Sequence, residues 1–188
     1  MSSSVVSSND SFALPGYQIH DEIFAGRSTR VLRAQRLSDE RPVIVKTLVD
    51  YEFPGMHEIE KLRREFAIAS TPGLRRVVRP LEIAEYGNGI ALVFEDHGGD
   101  SLAKIIREKN IGIAAFLRIA IRIVDALESV HSAGIIHLDI KPHNIVVNAQ
   151  TGDVALTDFG IATRLSRENP TVASPERLQG TLAYMSPE

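Results

Sequence analysis

The chain has 188 residues, of which 44% are hydrophobic and 24% are charged, as in an ordinary soluble globular protein. Its net charge of −3 is too weak to suggest nucleic acid or an anionic membrane as a partner. Cysteine is absent, which excludes disulfides, thiol nucleophiles and thiolate zinc sites and is compatible with a reducing compartment. We therefore expect one domain, or two small lobes, in the cytoplasm.

The two most unusual stretches of composition carry no targeting or membrane signal. The start of the chain is rich in serine and lacks the basic and apolar parts of a secretory signal, so we predict a disordered tail over residues 1–14. The longest apolar segment, 111–130, is interrupted by four charged residues. A bilayer would not accept them without partners, so no membrane span is expected.

The first half of the chain reads mainly as β-structure. A helix is predicted over His57–Ala69, because apolar residues recur there at spacings of three and four and Thr71-Pro72-Gly73 follows. Alternating and β-branched runs predict the strands, two of which are joined by the hairpin signal Gly87-Asn88-Gly89. The predicted strands are Tyr17–Phe24, Arg30–Leu37, Pro42–Val49, Val77–Tyr86 and Ile90–Phe94.

Two residues in this half suggest a phosphate site. Lys46 lies within an apolar strand, where a cation is costly unless it meets an anion, and Glu65 on the helix is a plausible partner. A lysine that merely faces solvent remains the alternative. Gly26, between the first two strands, would let backbone N–H groups approach a phosphate, although a plain hairpin turn explains it equally well.

The second half reads as mainly helical, beginning after a break at residues 95–100. Ser101 is the expected N-cap of a helix that runs to about Lys109. A longer helix is predicted over Ile113–Ala133, with Gly134 as the residue that ends it. Its expected buried stripe includes a hydrogen-bonded core histidine and consists of Leu117, Ala120, Ile121, Val124, Leu127 and His131.

The chemistry is concentrated in two short stretches that follow this helix. His137-Leu138-Asp139-Ile140-Lys141-Pro142-His143-Asn144 leads into a short strand over 145–147, and a second strand over 154–157 leads into Asp158-Phe159-Gly160. Together they supply two carboxylates, an amide, a cation and a glycine turn. Such a set suits a site that holds Mg²⁺ and positions a hydroxyl against a phosphate. The residues from Ile161 onward show little periodicity and are expected to form an ordered loop.

The order of these motifs resembles that of a eukaryotic-type (Hanks-type) Ser/Thr protein kinase domain. The strand lysine, helix glutamate, His-x-Asp-x-Lys-x-x-Asn, Asp-Phe-Gly and Ser-Pro-Glu occur in the family's sequence and spacing over Tyr17–Glu188. The resemblance stops at the Ala-Pro-Glu position. It implies a two-lobed α+β fold with a β-rich N-lobe carrying one helix, over residues 15–95, and an incomplete helical C-lobe over residues 96–188.

The resemblance also implies roles for the residues that act on the phosphates. Lys46 would contact the α- and β-phosphates of ATP, and Glu65 would orient it. Asp139 would accept or orient the proton of the substrate hydroxyl, and Lys141 would offset charge on the γ-phosphate. The Mg²⁺ ligands would be Asn144 and Asp158. A lysine at position 141 is typical of Ser/Thr rather than tyrosine kinases, and Thr181 agrees.

Further positions match the adenosine pocket of the family. The backbone of Glu95 and His97 would pair with adenine beyond a gatekeeper at Phe94, and Asp100 would reach the ribose. Val31 and Val146 would sandwich the ring, while Gly26 would lie over the phosphates. ATP and Mg²⁺ are thus the implied cofactors, and protein Ser/Thr hydroxyls the implied substrate.

Four departures from the family pattern alter these expectations. Phe24 and Thr29 replace two of the three glycines of the phosphate loop, and Ile44 replaces an alanine over adenine, so weaker ATP binding is predicted. Leu138 replaces an arginine that in many kinases pairs with a loop phosphate. We therefore expect that phosphorylation at residues 166, 171 or 174 is not needed to order that loop.

Three functions are consistent with this pattern. The first is the catalytic region of a Ser/Thr kinase, a piece of a larger signalling protein that carries additional domains. The second is a pseudokinase or regulatory nucleotide-binding module, and the third is a fragment that serves only as an interaction segment or has no function of its own. The helices that follow in the family are missing from these 188 residues, so Glu188 would lack its arginine partner. Apolar surface on the helix at 113–133 would be exposed. We therefore expect the 188 residues alone to show low peptide-kinase activity.

Overall fold

The N-terminal half forms a five-stranded antiparallel sheet in the computed structural model, which describes residues 12–49, 53–108, 110–165 and 180–185. Its spatial order is β1-β2-β3-β5-β4, and helix α1, Met56–Ala69, connects β3 to β4. The strands are β1 Tyr17–Ala25, β2 Thr29–Arg36, β3 Arg41–Leu48, β4 Pro80–Tyr86 and β5 Gly89–Glu95. All five predicted strands and the helix are therefore present, with ends that agree to within three residues.

The two faces of this sheet have different partners because side chains alternate along each strand. Val43 and Val45 of β3 face one side, in a cluster with apolar residues of β2 and β5. Ile44 and Leu48 face the other side, where they pack with Leu62 of α1. Lys46 shares this second face, which directs its ammonium group towards α1.

The segment before β1 covers the face that α1 leaves open. Phe12 and Leu14 are buried in the cluster around Val43 and Val45, and the Phe12 ring meets the Tyr86 ring edge-on with centroids 5.0 Å apart. The prediction of a disordered tail over 1–14 is therefore wrong for residues 12–14, and its remainder lies outside the described residues. The serine-rich composition obscured two apolar side chains at a spacing of two, which is the spacing that one face of a sheet accepts.

One predicted strand start is wrong. Val77 does not belong to β4 but forms an isolated parallel bridge with Leu156, and the N–H of Val78 donates to the Leu156 carbonyl at 2.9 Å. The backbone thus pairs with the C-terminal half before it enters the main sheet at Pro80. In contrast, the hairpin at Gly87-Asn88-Gly89 is confirmed, with Tyr86 opposite Gly89 and Gly87 at φ +47°.

The C-terminal half combines two helices with short strands. Helix α2 spans Leu102–Glu108 and α3 spans Ile113–Ser132. The predicted N-cap is confirmed, since Ser101 Oγ accepts the Lys104 N–H at 3.3 Å, and Gly134 ends α3 at φ +69°. The short strands are β6 Asp100–Ser101, β7 Ile135–Ile136, β8 Ile145–Val147, β9 Val154–Leu156 and β10 Thr163–Arg164, and they form the sheets β6-β8-β9 and β10-β7.

The buried face of α3 differs from the predicted stripe. Ala126 and Val130 are fully buried in the C-terminal core, which Ile119, Ile123 and Leu127 join. Leu117, Ile121, Val124 and His131 are exposed, so the expectation of a core histidine at 131 is wrong. Because α3 is apolar on two sides, periodicity alone could not tell the packed side from the open one. The expected exposure of apolar surface on this helix is confirmed.

The architecture agrees with the expected fold class. A β-rich part with one helix and a partial helical part make an α+β, kinase-like fold. The lobe boundaries at residues 15, 95 and 96 stay predictions. Within the described part of the chain, no helix combines the length and apolar character that a membrane span needs.

Candidate active site

Lys46 is the centre of a three-residue ionic cluster at the junction of β3, α1 and the segment after β9. Its Nζ lies 2.8 and 2.7 Å from the two carboxylate oxygens of Glu65 and 2.9 Å from Oδ1 of Asp158. The side chain of Glu65 is only 3% exposed, whereas that of Asp158 is 41% exposed. The predicted pairing of Lys46 with Glu65 is therefore confirmed, and Asp158 is a second partner that the sequence did not predict.

Lys46 and Asp158 hold each other in their ionised forms, whereas burial raises the pKa of Glu65 above its ordinary value although the Lys46 ammonium acts to lower it. Burial acts to lower the pKa of Lys46, but the carboxylates of Glu65 and Asp158 outweigh it and raise that pKa above its ordinary value. Burial likewise acts to raise the pKa of Asp158, and the nearby Lys46 ammonium lowers it overall. The cluster thus presents a permanent cation and an accessible carboxylate to the cleft.

The second cluster is formed by the loop before β8. A 3₁₀ turn over Pro142–Asn144 brings the amide of Asn144 back to Asp139, where its Nδ2 donates to the backbone oxygen and to Oδ2, both at 2.9 Å. Lys141 Nζ lies 2.7 Å from Oδ2 of Asp139. The three predicted catalytic residues are therefore in direct contact.

Thr181 completes this second cluster from a distant part of the chain. Its hydroxyl donates to Oδ1 of Asp139 at 2.8 Å and accepts from Lys141 Nζ at 3.0 Å. Burial acts to raise the pKa of Asp139, but hydrogen bonds from Lys141, Thr181 and Asn144 lower it below its usual range. The sequence marked Thr181 only as a sign of Ser/Thr-type chemistry and contained no signal for the contact.

His137 connects the chain segments that carry the two clusters, a role that the sequence did not assign. It is buried, its Nε2 lies 3.1 Å from the Thr157 carbonyl, and its Nδ1 accepts the N–H of Asp139 at 3.3 Å. These bonds assign the proton to Nε2. The ring also packs on buried Phe159, with centroids 4.6 Å apart. One imidazole therefore connects the backbone at Asp139 to the segment that carries Asp158.

The predicted adenine pocket lies along β5 and the segment after it. Phe94, Ile44 and Val146 belong to one apolar cluster, so three of the positions predicted around the adenine ring pack together. Val31, predicted on the other side of the ring, pairs with Lys46 across β2 and β3. Asp100 is held by Lys104 at 2.8 Å, so the predicted ribose contact would compete with this ion pair.

The hinge after β5 is tied to the sheet by side chains. Glu95 pairs with Arg41 at 2.7 Å, and Asp96 pairs with Arg33 at 3.1 Å. Within the described residues, Nε2 of His97 is the buried side-chain polar atom that lacks a hydrogen-bond partner. Of the two predicted hinge residues, Glu95 is the last residue of β5 and His97 follows two positions later. Two ion pairs hold this segment against the sheet.

A large side chain lies against the predicted phosphate loop between β1 and β2. The N–H of Gly26 donates to the Thr29 carbonyl at 2.8 Å, and a Cβ built on Gly26 would lie 2.9 Å from the Phe24 ring. Phe24 is 51% exposed. A narrow cavity of about 70 Å³ lies beneath the loop, lined among others by Thr29, Lys46 and Asp158.

The donor set fits a nucleotide-bound divalent cation. Asp158 offers an exposed carboxylate, and Asn144 retains its amide oxygen because its Nδ2 is used by Asp139. Both are hard oxygen ligands of the kind that Mg²⁺ prefers, and Mg²⁺ is commonly completed by substrate phosphates. Among the described residues, no group of three or more histidine or carboxylate side chains could hold a metal by itself.

A family model of the protein kinase domain matches residues 17–188. The chain belongs to the protein kinase family. Among its curated relatives, a probable serine/threonine-protein kinase of Clostridium acetobutylicum is 35% identical over 176 residues, which are 92% of this chain and 26% of that relative. The serine/threonine-protein kinase PrkC of Bacillus subtilis is 32% identical over 174 residues, with the same two coverages.

A third relative gives the same picture. The probable serine/threonine-protein kinase pknA2 of Bifidobacterium longum is 33% identical over 178 residues, which are 92% of this kinase chain and 23% of that relative. The chain thus spans about a quarter of the length of these curated relatives. The recognition of a Ser/Thr kinase from its motifs is confirmed, and kinases of this family use ATP and Mg²⁺.

Proposed function

We propose that this kinase domain binds MgATP between the five-stranded sheet and the loop at 137–144 and transfers the γ-phosphoryl group to a Ser or Thr hydroxyl of a protein. The observation that carries the proposal is the presence of two clusters that His137 connects: Lys46 with Glu65 and Asp158, and Asp139 with Lys141 and Asn144. A nucleotide-binding module alone has no need of both.

Within this proposal, the residues divide the work as their contacts suggest. Lys46, held by Glu65, presents a fixed cation to the α- and β-phosphates, while Asn144 and Asp158 would hold Mg²⁺. When bound, the metal would neutralise charge on the phosphates. Asp139 accepts a hydrogen bond from the substrate hydroxyl and takes its proton as transfer proceeds, and Lys141 stabilises negative charge beside it.

Asp139 is well suited to this role because its carboxyl is already ionised. The donors around it lower its pKa, so it acts chiefly by orienting the hydroxyl and receives the proton late. Thr181 occupies one of its oxygens. An incoming hydroxyl would therefore approach a carboxylate whose direction is fixed by Lys141, Asn144 and Thr181.

The test separates binding from transfer. We expect that Lys46→Ala weakens MgATP binding at least tenfold, whereas Asp139→Asn leaves binding within about twofold and abolishes transfer by the full-length protein. The matched controls are Arg64→Ala and Asp21→Asn, which alter exposed residues outside both clusters. Binding is measured by calorimetry and transfer by autophosphorylation with radiolabelled ATP. Unchanged MgATP affinity in Lys46→Ala would refute the proposed site.

A second candidate function is a pseudokinase, and the Phe24 ring over Gly26 is the observation that favours it. A bulky loop binds phosphates less closely than a glycine-rich one, because backbone N–H groups are kept at a distance. MgATP binding without transfer by the full-length protein, unaffected by Asp139→Asn, would favour this reading. A chain that neither binds nor transfers would favour the third reading, an interaction segment.

The wider setting of the kinase domain is also part of the proposal. We propose that protein substrates supply the hydroxyl and that the whole protein carries further domains, which the greater length of the relatives supports. A cytoplasmic location stays a prediction. The predicted dispensability of phosphorylation at residues 166, 171 and 174, and the predicted role of Glu188, lie outside the described residues.

A further inference from the structure

The turn between β8 and β9 lies directly behind the hinge and is joined to it by one side chain. Asn148 Nδ2 donates to the carbonyl oxygen of His97 at 3.0 Å. Oδ1 of the same side chain accepts hydrogen bonds from the N–H groups of Gln150 and Thr151, at 3.0 and 3.1 Å. Asn148 therefore caps its own turn with its oxygen and holds the hinge with its nitrogen.

The hinge backbone is held on both sides of a single peptide group. The carbonyl of His97 is bound by Asn148, and the N–H of Gly98, in the same peptide, donates to Oδ1 of Asp96 at 2.8 Å. Asp96 is in turn paired with Arg33 on β2. Both polar groups of the His97–Gly98 peptide are thus engaged within the protein, while the N–H of His97 belongs to the preceding peptide.

Two glycines make this close approach possible. Gly98 has φ +67°, and a Cβ there would lie 3.0 Å from Asn148 Nδ2. A Cβ on Gly99 would lie 2.5 Å from the Val147 carbonyl oxygen, a distance that real Cβ atoms do not reach. Since any other residue would push the hinge away from β8, the contact with Asn148 depends on this pair of glycines.

We propose that Asn148 is a positioning residue for the nucleobase, because it holds the His97–Gly98 peptide and so fixes the hinge backbone that reads adenine. The proposal rests on the proposed binding of MgATP at this hinge. It adds a residue outside the phosphate and metal sites, carried on a turn that the kinase motifs do not include.

A fixed hinge selects one base because the polar edges of adenine and guanine are reversed. Adenine presents an acceptor at N1 and a donor at N6, whereas guanine presents a donor at N1 and an acceptor at O6. A rigid backbone that pairs with the first leaves unsatisfied groups against the second. A hinge that can rotate discriminates less between the two bases.

The variant Asn148→Asp isolates the hinge contact. It keeps an oxygen for the N–H groups of Gln150 and Thr151 but removes the donor to the His97 carbonyl. The matched control is Thr151→Ala, which removes the bond from the Asp153 N–H to Thr151 Oγ in the same turn and does not touch the hinge. Both variants are compared with the unaltered 188-residue chain.

Dissociation constants for MgATP and MgGTP, measured by calorimetry, give the first result. We expect MgATP binding by Asn148→Asp to weaken about five- to tenfold and MgGTP binding to change less than about twofold, so that the preference for adenine falls. Thr151→Ala should match the unaltered chain with both nucleotides. An unchanged preference in Asn148→Asp, or equal losses for both nucleotides, would overturn the proposal.

Hydrogen exchange of the hinge without nucleotide gives the second result. We expect amides of residues 96–100 to exchange several-fold faster in Asn148→Asp and at the original rate in Thr151→Ala. If the unaltered chain fails to bind MgATP, the proposed function fails, and this measurement alone decides whether Asn148 holds the hinge. Equal exchange rates in all three proteins would refute the proposal that Asn148 holds the hinge backbone.

Discussion

The hydroxyl of Thr181 donates a 2.8 Å hydrogen bond to Oδ1 of Asp139, across 42 positions of sequence. The bond joins the segment at 180–185 to the loop that carries the proposed base. Because it is made to the ionised carboxylate, it contributes to the lowered pKa of Asp139. The proposed base is therefore coupled to the segment at 180–185 through the Thr181 hydroxyl, which also accepts a hydrogen bond from Lys141.

Replacing Thr181 by Val should raise the pKa of Asp139. The change keeps the shape of the side chain and removes the donor to Oδ1, so the ionised form loses one hydrogen bond. Thr181→Ser should keep the original pKa because it keeps the hydroxyl. Carbon-13 NMR of the aspartate carboxyls measures the titration, and Asp139→Asn identifies the resonance. Identical titration in the Val and Ser variants would contradict the prediction.

Glu65→Gln should destabilise the fold and weaken MgATP binding together. The substitution leaves a buried lysine with Asp158 as its remaining partner, and breaking a buried ion pair costs about 3 kcal/mol. Urea denaturation measures the first effect and calorimetry the second. Glu60→Gln, an exposed change on the same helix, should alter neither. A stable Glu65→Gln protein with full affinity would show that the pairing is dispensable.

The alternation of β3 explains why the Lys46 site could be predicted and the Thr181 contact could not. Lys46 stands among residues that point to α1, and a cation there must find a carboxylate on the facing helix. Thr181, in contrast, follows a stretch with little periodicity, so no local pattern determines how far it lies from Asp139. Contacts between regular elements follow from periodicity, whereas contacts made by loops depend on the whole fold.

The same reasoning explains the wrong stripe on α3 and the unpredicted contact of Asn148 with the hinge. Apolar residues occupy more than one side of α3. By spacing alone, Ile121 and Ala126 fit a packed face equally well. Asn148 looks like an ordinary turn residue, because an asparagine between two short strands predicts no more than a turn. Its bond to His97 depends on glycines that lie 50 residues away in sequence.

Lowering the pH should cost stability through His137. Burial lowers the pKa of this imidazole, so the native state keeps it neutral while the unfolded state gains a proton below about pH 6.5. The contribution of His137 to the free energy of unfolding is complete above about pH 6.5 and is lost as the pH falls from there towards the pKa in the native state. The free energy of unfolding falls by at most about 1.4 kcal/mol per pH unit through this residue. The free energy of unfolding from pH 7.5 to 5.5 should therefore fall less steeply in His137→Gln than in the unaltered chain. His20→Gln, at an exposed histidine, is the control, and parallel curves for all three proteins would contradict the prediction.

Polar substitutions on the open face of α3 should reduce self-association without loss of stability. Ile121 and Val124 are 68% and 64% exposed, so Gln at both positions removes apolar surface from water and opens no cavity. Light scattering should show less association, and urea denaturation should show an unchanged midpoint. Val130→Ala, at a fully buried position of the same helix, should instead cost about 2 kcal/mol. A loss of stability in the double variant would mean that this face is packed in solution.

Opening the phosphate loop should strengthen nucleotide binding. In Phe24→Gly the ring no longer covers Gly26, and the backbone N–H groups can approach the phosphates more closely. MgATP affinity should rise about three- to tenfold, while adenosine, which lacks phosphates, should bind as before. Ile23→Gly, at the neighbouring exposed position, controls for added flexibility. Weaker MgATP binding in Phe24→Gly would show that the ring assists the nucleotide.

The placement of Phe12 and Leu14 also determines where this domain can be cut. The family match begins at Tyr17, and a recombinant boundary drawn there would remove both side chains from the sheet face that they cover. The uncovered surface would include Val43 and Val45, which are fully buried in the intact chain. A protein that begins at Tyr17 should therefore aggregate more readily and unfold more easily than the intact chain. A loss of nucleotide binding in that protein would result from the exposed sheet face and not from a defect in the active site.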